Sequence, residues 1–147
     1  MKIKQQGFTL IELVVVITIL GILAAFALPR FAGLEIEARK ATVDGLAGSV
    51  RSAAALAHSL QLAQAGTTGA SVTMEGQVIT MVNRYPTSNA AGIEAALQDI
   101  TGFTGVDNAG DWEIQKDGAN DPTQCNVLYA AAGVGASPTI TPDKSDC

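Results

Sequence analysis

Glu12 is a carboxylate placed inside an apolar run that extends from Phe8 to Leu28. An acid well inside hydrocarbon costs roughly 2.5–3.5 kcal/mol on insertion scales, and less near a segment's end. It becomes tolerable as one member of a charge pair. Two thiols, Cys125 and Cys147, offer a second chemistry. In a chain exported behind its first helix they meet an oxidising compartment, where such a pair closes; two unrelated thiols are the alternative. A structural zinc site lacks its four nitrogen and sulfur ligands, because His58 is the only histidine and lies far from both cysteines in sequence. His58 is expected on the polar face of a helix. The stretch DNAGDWEIQKDGANDP is rich in Asp, Asn and Gly but does not keep the Asp-x-Asp-x-Asp-Gly spacing of a calcium loop, so plain turns are expected there. There is no Gly-rich phosphate loop after a strand, no paired histidines and no nucleophile elbow, so no catalytic residues, no metal and no cofactor are expected.

The chain that must position these groups has 147 residues, 48% of them hydrophobic, which suits one ordinary domain plus one membrane segment. The formal charge is −5, from 9 basic and 14 acidic residues. From Glu75 onward there are ten acids against three bases, Arg84, Lys116 and Lys144. No basic patch is present, and nucleic-acid binding is not expected.

Three readings compete for the first thirty residues. Lys2 and Lys4 followed by an apolar middle and AAFA (24–27) suit a secretory signal peptide. The apolar run of 21 residues is long for that, and at ~1.5 Å per residue it reaches about 30 Å, the hydrocarbon thickness. A plain anchor with a cytoplasmic N-terminus fits the length and the two lysines. Neither reading explains Glu12. The stretch QGFTLIELVVVITILGILAAFALP, from Gly7 to Pro29 in particular, resembles the type IV prepilin signature: a short basic leader ending in Gly, then Phe-Thr-Leu-Ile-Glu, then an apolar helix.

The resemblance implies removal of residues 1–7 by prepilin peptidase, cleavage between Gly7 and Phe8, and N-methylation of Phe8. Cleavage exposes an ammonium at Phe8 that is largely charged near neutral pH. Phe8, Thr9 and Glu12 become the assembly residues, the carboxylate of an incoming subunit meeting the amino terminus of its neighbour. Pairing of Glu12 with Phe8 of its own helix stays open, and a first-turn carboxylate is favoured by the helix dipole in any case. The implied partners are identical subunits in a helical homopolymer, the peptidase and the inner-membrane assembly machinery, with room for a surface or host glycan receptor. The implied location is the bacterial inner membrane before assembly, as a single pass with a cytoplasmic N-terminus, and an extracellular pilus (fimbrium) afterwards. In related pilins the helix between such a glycine and proline loses order in the filament; that carries onto Gly21 and Pro29, with a simple proline kink as the alternative. Related secretion pseudopilins bind calcium in their globular part, which keeps a metal within 107–121 as the minor alternative to turns.

After Pro29 the pattern becomes one-faced. Val43, Leu46, Ala47, Val50, Ala53, Ala54, Ala57 and Leu60 follow the helical period, opposite Asp44, Arg51, Ser52 and Ser59. The helix is expected to stop near 64–66, where Gly-Thr-Thr-Gly follows. Glu35, Glu37, Arg39 and Lys40 form a charged girdle, with Glu35 and Arg39 spaced for a weak pair. Beyond it SVTMEGQVITMV reads as two strands about Glu75-Gly76, NRYPTSNAAGIEAAL as a turn at Tyr85-Pro86 and a short helix to about Leu97, and DWEIQ, CNVLYAAA and PTITP as further strands. The expected fold is α+β: a long N-terminal helix, kinked near Pro29, on a small antiparallel sheet with a C-terminal disulfide loop. Three parts follow: leader 1–7, membrane or filament-core half 8–29, and amphipathic half plus head 30–147. The Tyr-Pro element, the Ala-rich short helix and the late CNVLYAAA strand before a terminal cysteine resemble the mannose-sensitive haemagglutinin subgroup. The family resemblance implies a major pilus subunit used in attachment, with motility or biofilm formation as further roles. A minor pilin or type II secretion pseudopilin, and a tethered periplasmic binding module that never polymerises, are the alternatives. In pilins with a terminal disulfide the closed loop is surface-exposed, which would make Ala132 to Asp146 an exposed edge of the fibre.

Overall fold

The computed structural model describes residues 8–64 and 71–147, and their side chains except those of 28–32. Helix α1 runs from Leu10 to Ala63, followed by strands β1 (Ser71–Met74), β2 (Gln77–Val82), β3 (Tyr85–Pro86), β4 (Phe103–Asn108), β5 (Asp111–Lys116), β6 (Asn126–Ala130) and β7 (Thr139–Asp143). The chain divides into two compact units, Met1–Ile36 and Glu37–Cys147.

In the first unit the segment Leu10–Ala27 is helical, long and apolar enough to cross a membrane, and none of it is buried within the chain. The helix continues through Gly21 and Pro29. A methyl group added at Gly21 would meet nothing within 4 Å, so nothing in the chain's own packing requires a glycine there. The Pro29 side chain is among those not described.

The second unit is an antiparallel α+β fold. One sheet has the order β1-β2-β3 and the other β4-β5-β6-β7. The expected helical stripe is buried: Val43, Leu46, Ala47, Val50 and Ala54 pack with Ile93, Ile114, Val127 and Tyr129. Ala57 packs one turn further on, with Val72, Ile79 and Met81 of the smaller sheet and Ala96. Ala47, Ala54 and Ala57 on the helix let the sheets approach closely, and strands supply Tyr129, Ile79 and Ile114, among the largest fully buried side chains. Tyr129 is wholly buried and donates its hydroxyl to the carbonyl of Pro86 at 2.8 Å. Burial first, and Tyr85 second, push its pKa far above the usual range, so it stays a neutral donor.

The head departs from expectation in three places. The turn falls at Asn83-Arg84, not at Tyr85-Pro86, which pairs with Met81 and Val82 as β3. The short helix is a five-residue π-type turn, Ala90–Glu94, instead of a helix to Leu97. Strand β4 was not expected: it forms a hairpin with the expected DWEIQ strand, β5, in which Phe103 faces Lys116 and Asn108 faces Asp111.

Gly92 shows why the π-type turn has its sequence. A Cβ there would collide with the carbonyl and Oγ1 of Thr87, and that carbonyl accepts the Ile93 N–H at 2.9 Å. The obstacle is partly backbone, so it cannot rotate away. Gly92→Ala is expected to destabilise the protein by about 1–3 kcal/mol, read as a lower thermal unfolding midpoint. An unchanged midpoint would show that the turn relaxes freely.

Candidate functional site: the first turn of the long helix

Thr9 precedes the first helical residue, and Glu12 is the third residue of the helix. The Thr9 backbone N–H donates to Glu12 Oε2 at 2.9 Å, and the Thr9 hydroxyl donates to the same oxygen at 2.7 Å. In return the Glu12 N–H donates to Thr9 Oγ1 at 3.3 Å. This is a reciprocal capping box, Thr-x-x-Glu, which satisfies backbone donors that a helix start leaves open. A cap of this kind contributes on the order of 0.5–2 kcal/mol to its helix. The Thr-x-x-Glu spacing is legible in the sequence, although a reading based only on the cost of a charge in hydrocarbon does not use it.

The cap leaves chemistry over. Oε2 takes both Thr9 donors, while Oε1 has no hydrogen-bond partner among the described residues. Phe8 stands beside this turn 89% exposed, and the apolar residues that follow are exposed all round the helix. Gly7, and with it the expected cleavage junction, lies outside the described residues. A carboxylate with one free oxygen, at the head of a helix that covers none of its own apolar surface, can accept a cation once that surface is covered. Thr18 Oγ1 donates to the carbonyls of Val14 and Val15 at 3.0 and 2.8 Å, so this hydroxyl can enter an apolar medium satisfied.

The other sequence-derived sites fall in the second unit. Cys125 and Cys147 form a disulfide, with both cysteines buried. The chain end is also held by Arg39, whose Nη1 donates to the Cys147 carbonyl at 2.9 Å, and by Lys144, which pairs with Asp44 at 2.8 Å. In the closed loop, residues 133–137 are exposed while Ile140 packs against the core. Asp121 and Asp143 serve the loop as turn-formers. The Thr123 hydroxyl, with Gln124 and the Thr123 N–H, lowers the Asp121 pKa; the Ser145 hydroxyl and N–H lower that of Asp143. Depressed carboxylates contribute while ionised, so that contribution is present at neutral pH and is lost as pH falls through the folded values. Lys40 pairs with Glu37 at 3.0 Å in the charged girdle.

His58 is half-buried and does not lie on the open polar face. Its ring stacks on Tyr85 with centroids 4.2 Å apart, and Nδ1 lies 2.8 Å from the Arg84 carbonyl. Among the described residues no three His, Cys, Asp or Glu side chains converge as a metal site would need. Within 107–121, Asp117 accepts from Thr104 at 2.8 Å and Asp107 from the Gly110 N–H at 3.3 Å.

Residues 2–28 match the model of the prokaryotic N-terminal methylation motif. The chain is 56% identical over 54 residues to the type IV narrow pilus major component PilA5 of Thermus thermophilus, covering 37% of this chain and 47% of that protein, so it spans about half of that relative's length. It is 31% identical over 156 aligned positions to the fimbrial protein EcpC of Eikenella corrodens, covering 97% and 99% of the two chains. It is 30% identical over 127 residues to the type IV major fimbrial protein FimA of Dichelobacter nodosus, covering 86% and 67%. No solved structure matches the chain.

Proposed function

We propose that this chain, which belongs to the type IV pilin family, is the major structural subunit of a type IV pilus and polymerises through the first turn of its long helix. The observation that carries the proposal is the pairing of an apolar helix segment with none of it buried, Leu10–Ala27, with a carboxylate at its start whose Oε1 has no partner among the described residues. In the membrane the helix is solvated by lipid; in a fibre, copies of it cover one another. Removal of residues 1–7 leaves an N-methylated ammonium on Phe8. Glu12 of an incoming subunit meets the Phe8 ammonium of its neighbour and sets the axial register. The pair acts on specificity more than on stability, because both ions lose water as they meet.

Three segments follow in this reading: the leader 1–7, a filament-core half 8–29 and a head 30–147. The core half loosens between Gly21 and Pro29, two residues that weaken a helix, and the first of them meets no packing need in the chain's own structure. The partners are identical subunits, prepilin peptidase and the inner-membrane assembly machinery, and the product is an extracellular fibre that attaches to surfaces. The mannose-sensitive haemagglutinin subgroup is favoured by β3 at Tyr85–Pro86, the Ala-rich turn after it and β6 before the terminal cysteine.

One observation favours a non-polymerising tethered module: the Thr9 cap alone gives Glu12 a structural reason to be present. A minor pilin or pseudopilin shares the first turn, and the terminal disulfide is what favours a pilin over a major pseudopilin. Processing tests the polymerising reading. Gly7→Ala, or a bulkier residue there, is expected to leave uncleaved precursor in the inner membrane with few surface filaments. Normal filaments whose subunits start at Met1 would overturn it.

A further inference from the structure

The head is strongly acidic, and its cations are almost all engaged inside the chain. Residues 37–147 carry twelve acids and six bases, a formal charge of −6. Five of the bases have partners in their own chain: Arg39 with the Cys147 carbonyl, Lys40 with Glu37, Arg51 with the Ile140 carbonyl, Lys116 with the Gly102 carbonyl, and Lys144 with Asp44. Arg84 is exposed, and its guanidinium has no hydrogen bond or ion pair among the described residues. Copies of such a head held side by side repel one another unless a cation enters the contact.

Arg84 is presented rigidly. It occupies the β2–β3 turn with Asn83, both in the left-handed region at φ 72° and 49°. Non-glycine residues adopt that region at a cost of about 1–2 kcal/mol each, so the surroundings must hold them there. Asn83 Nδ2 donates to the Ala132 carbonyl at 2.8 Å, and the Arg84 carbonyl lies 2.8 Å from Nδ1 of the stacked His58. A carbonyl only accepts, so the proton sits on Nδ1, and the imidazole holds the turn by its backbone while the Arg84 residue stays exposed.

The other end of β2 carries the opposite charge in the same kind of turn. Glu75 sits at φ 48° before Gly76, and accepts from Gln98 at 2.9 and 3.0 Å. Glu75 and Asp99 both line an open groove of about 1560 Å³, together with Ser52, Leu56 and Met74; Asp99 accepts from the Thr101 N–H and hydroxyl through Oδ1. Leu56 in that lining is 54% exposed. Exposed carbon in one groove with carboxylates suits an arginine, whose stem covers carbon while its fork meets carboxylates. The groove and the cation cannot meet within one chain. Six residues of β2 separate the two turns, roughly 20 Å at ~3.3 Å per residue. On the helix, Leu56 and His58 lie about 200° apart, on opposite flanks.

We propose that the β2–β3 turn of one subunit docks into this groove of a second copy, with Arg84 against Glu75 and Asp99. Two different patches are joined, so the contact is head-to-tail and can repeat without closing, as a fibre requires. The proposal rests on the polymerising reading above and assigns the head surfaces that reading leaves open.

A cross-link tests it. Subunits carrying Arg84→Cys alone and Glu75→Cys alone are co-expressed, and sheared filaments are mildly oxidised. A peptide joining positions 84 and 75 is expected from filaments, and absent from the membrane pool and from filaments holding either variant with wild type only. Arg84→Gly, which suits the left-handed turn, is expected to lower the ratio of filament to membrane-pool protein about two- to five-fold, the range of one exposed ion pair. Arg84→Glu lowers it further, and Glu75→Arg with Asp99→Arg restores it in the same chain. Filaments that assemble at the wild-type ratio with all of these variants, or a cross-link from position 84 to another site, would overturn the contact while leaving polymerisation intact. Absence of wild-type filaments would remove the polymerising reading and this contact with it.

Discussion

A subunit carrying Glu12→Gln is expected to enter the membrane and be cleaved after Gly7, yet to give few or no filaments when it is the only subunit present. Glutamine at the third helical position still satisfies a capping box, since its carbonyl oxygen can accept the Thr9 N–H and hydroxyl that Glu12 Oε2 now takes. Helix start, size and polarity are retained, and only the charge is removed. Two roles for Glu12 are thereby separated. If it is only a cap, the variant behaves as wild type. If it also receives the ammonium of a neighbour's Phe8, that ammonium is left buried without a partner, a penalty of about 3–5 kcal/mol. At about 1.4 kcal/mol per factor of ten, each added subunit is then held two to three orders of magnitude less firmly. Co-expressed with wild type, the variant is expected to enter filaments less efficiently. The measurement is filament yield against membrane-pool yield for both proteins. Glu12→Ala serves as a reference in which cap and charge go together.

The second large effect is expected at the disulfide. Cys125 and Cys147 are 22 positions apart, and both are part of the core beneath the larger sheet. Closing a loop of that size stabilises a fold by about 3 kcal/mol in the chain-entropy model. The double variant Cys125→Ser, Cys147→Ser also places two hydroxyls among Val43, Ile114 and Val127, so its loss is expected to reach at least that figure. For a head of this size that is on the order of 10–20 °C in the unfolding midpoint. The Arg39 contact to the Cys147 carbonyl, the Lys144–Asp44 pair and the β6–β7 ladder remain, so the loop is expected to loosen and the rest of the head to persist. The unfolding midpoint of the full chain in detergent, with and without reductant, checks this. A change under a few degrees would show that the ladder and the arginine hold the end unaided.

How far the sequence foretold the structure depended on periodicity. The helix from Val43 to Leu60 was legible because apolar positions recur every three or four residues and all face one side. The β1–β2 hairpin was legible from two β-rich runs about Glu75-Gly76. Strand β4 was not, because Phe103–Asn108 is mostly exposed and holds Gly105 in its middle. That glycine looks like a turn signal, but a Cβ there would collide with Glu94 and the Trp112 ring, which approach closely as Trp112 Nε1 donates to Glu94 at 2.8 Å. Only the tertiary contact explains the residue. The β2–β3 turn was displaced by two residues for a similar reason. Proline at position 86 reads as a turn-former, yet it ends a short edge strand, and Asn83-Arg84 makes the reversal through left-handed geometry that arginine rarely supplies. At the first turn, the identities of Phe8, Thr9 and Glu12 were plain. What composition could not show was that one carboxylate oxygen is held by the chain's own cap while the other has no partner among the described residues.

In the polymerising reading this chain, shortened to begin at Phe8, is the material of a surface fibre. Intact-mass spectrometry on the main band of sheared surface filaments tests it most directly. A single dominant species that begins at Phe8 is expected, one methyl group heavier at its amino terminus and two hydrogens lighter for the Cys125–Cys147 disulfide. A dominant species that begins at Met1, or surface filaments in which this chain is absent while it accumulates in the membrane, would contradict it.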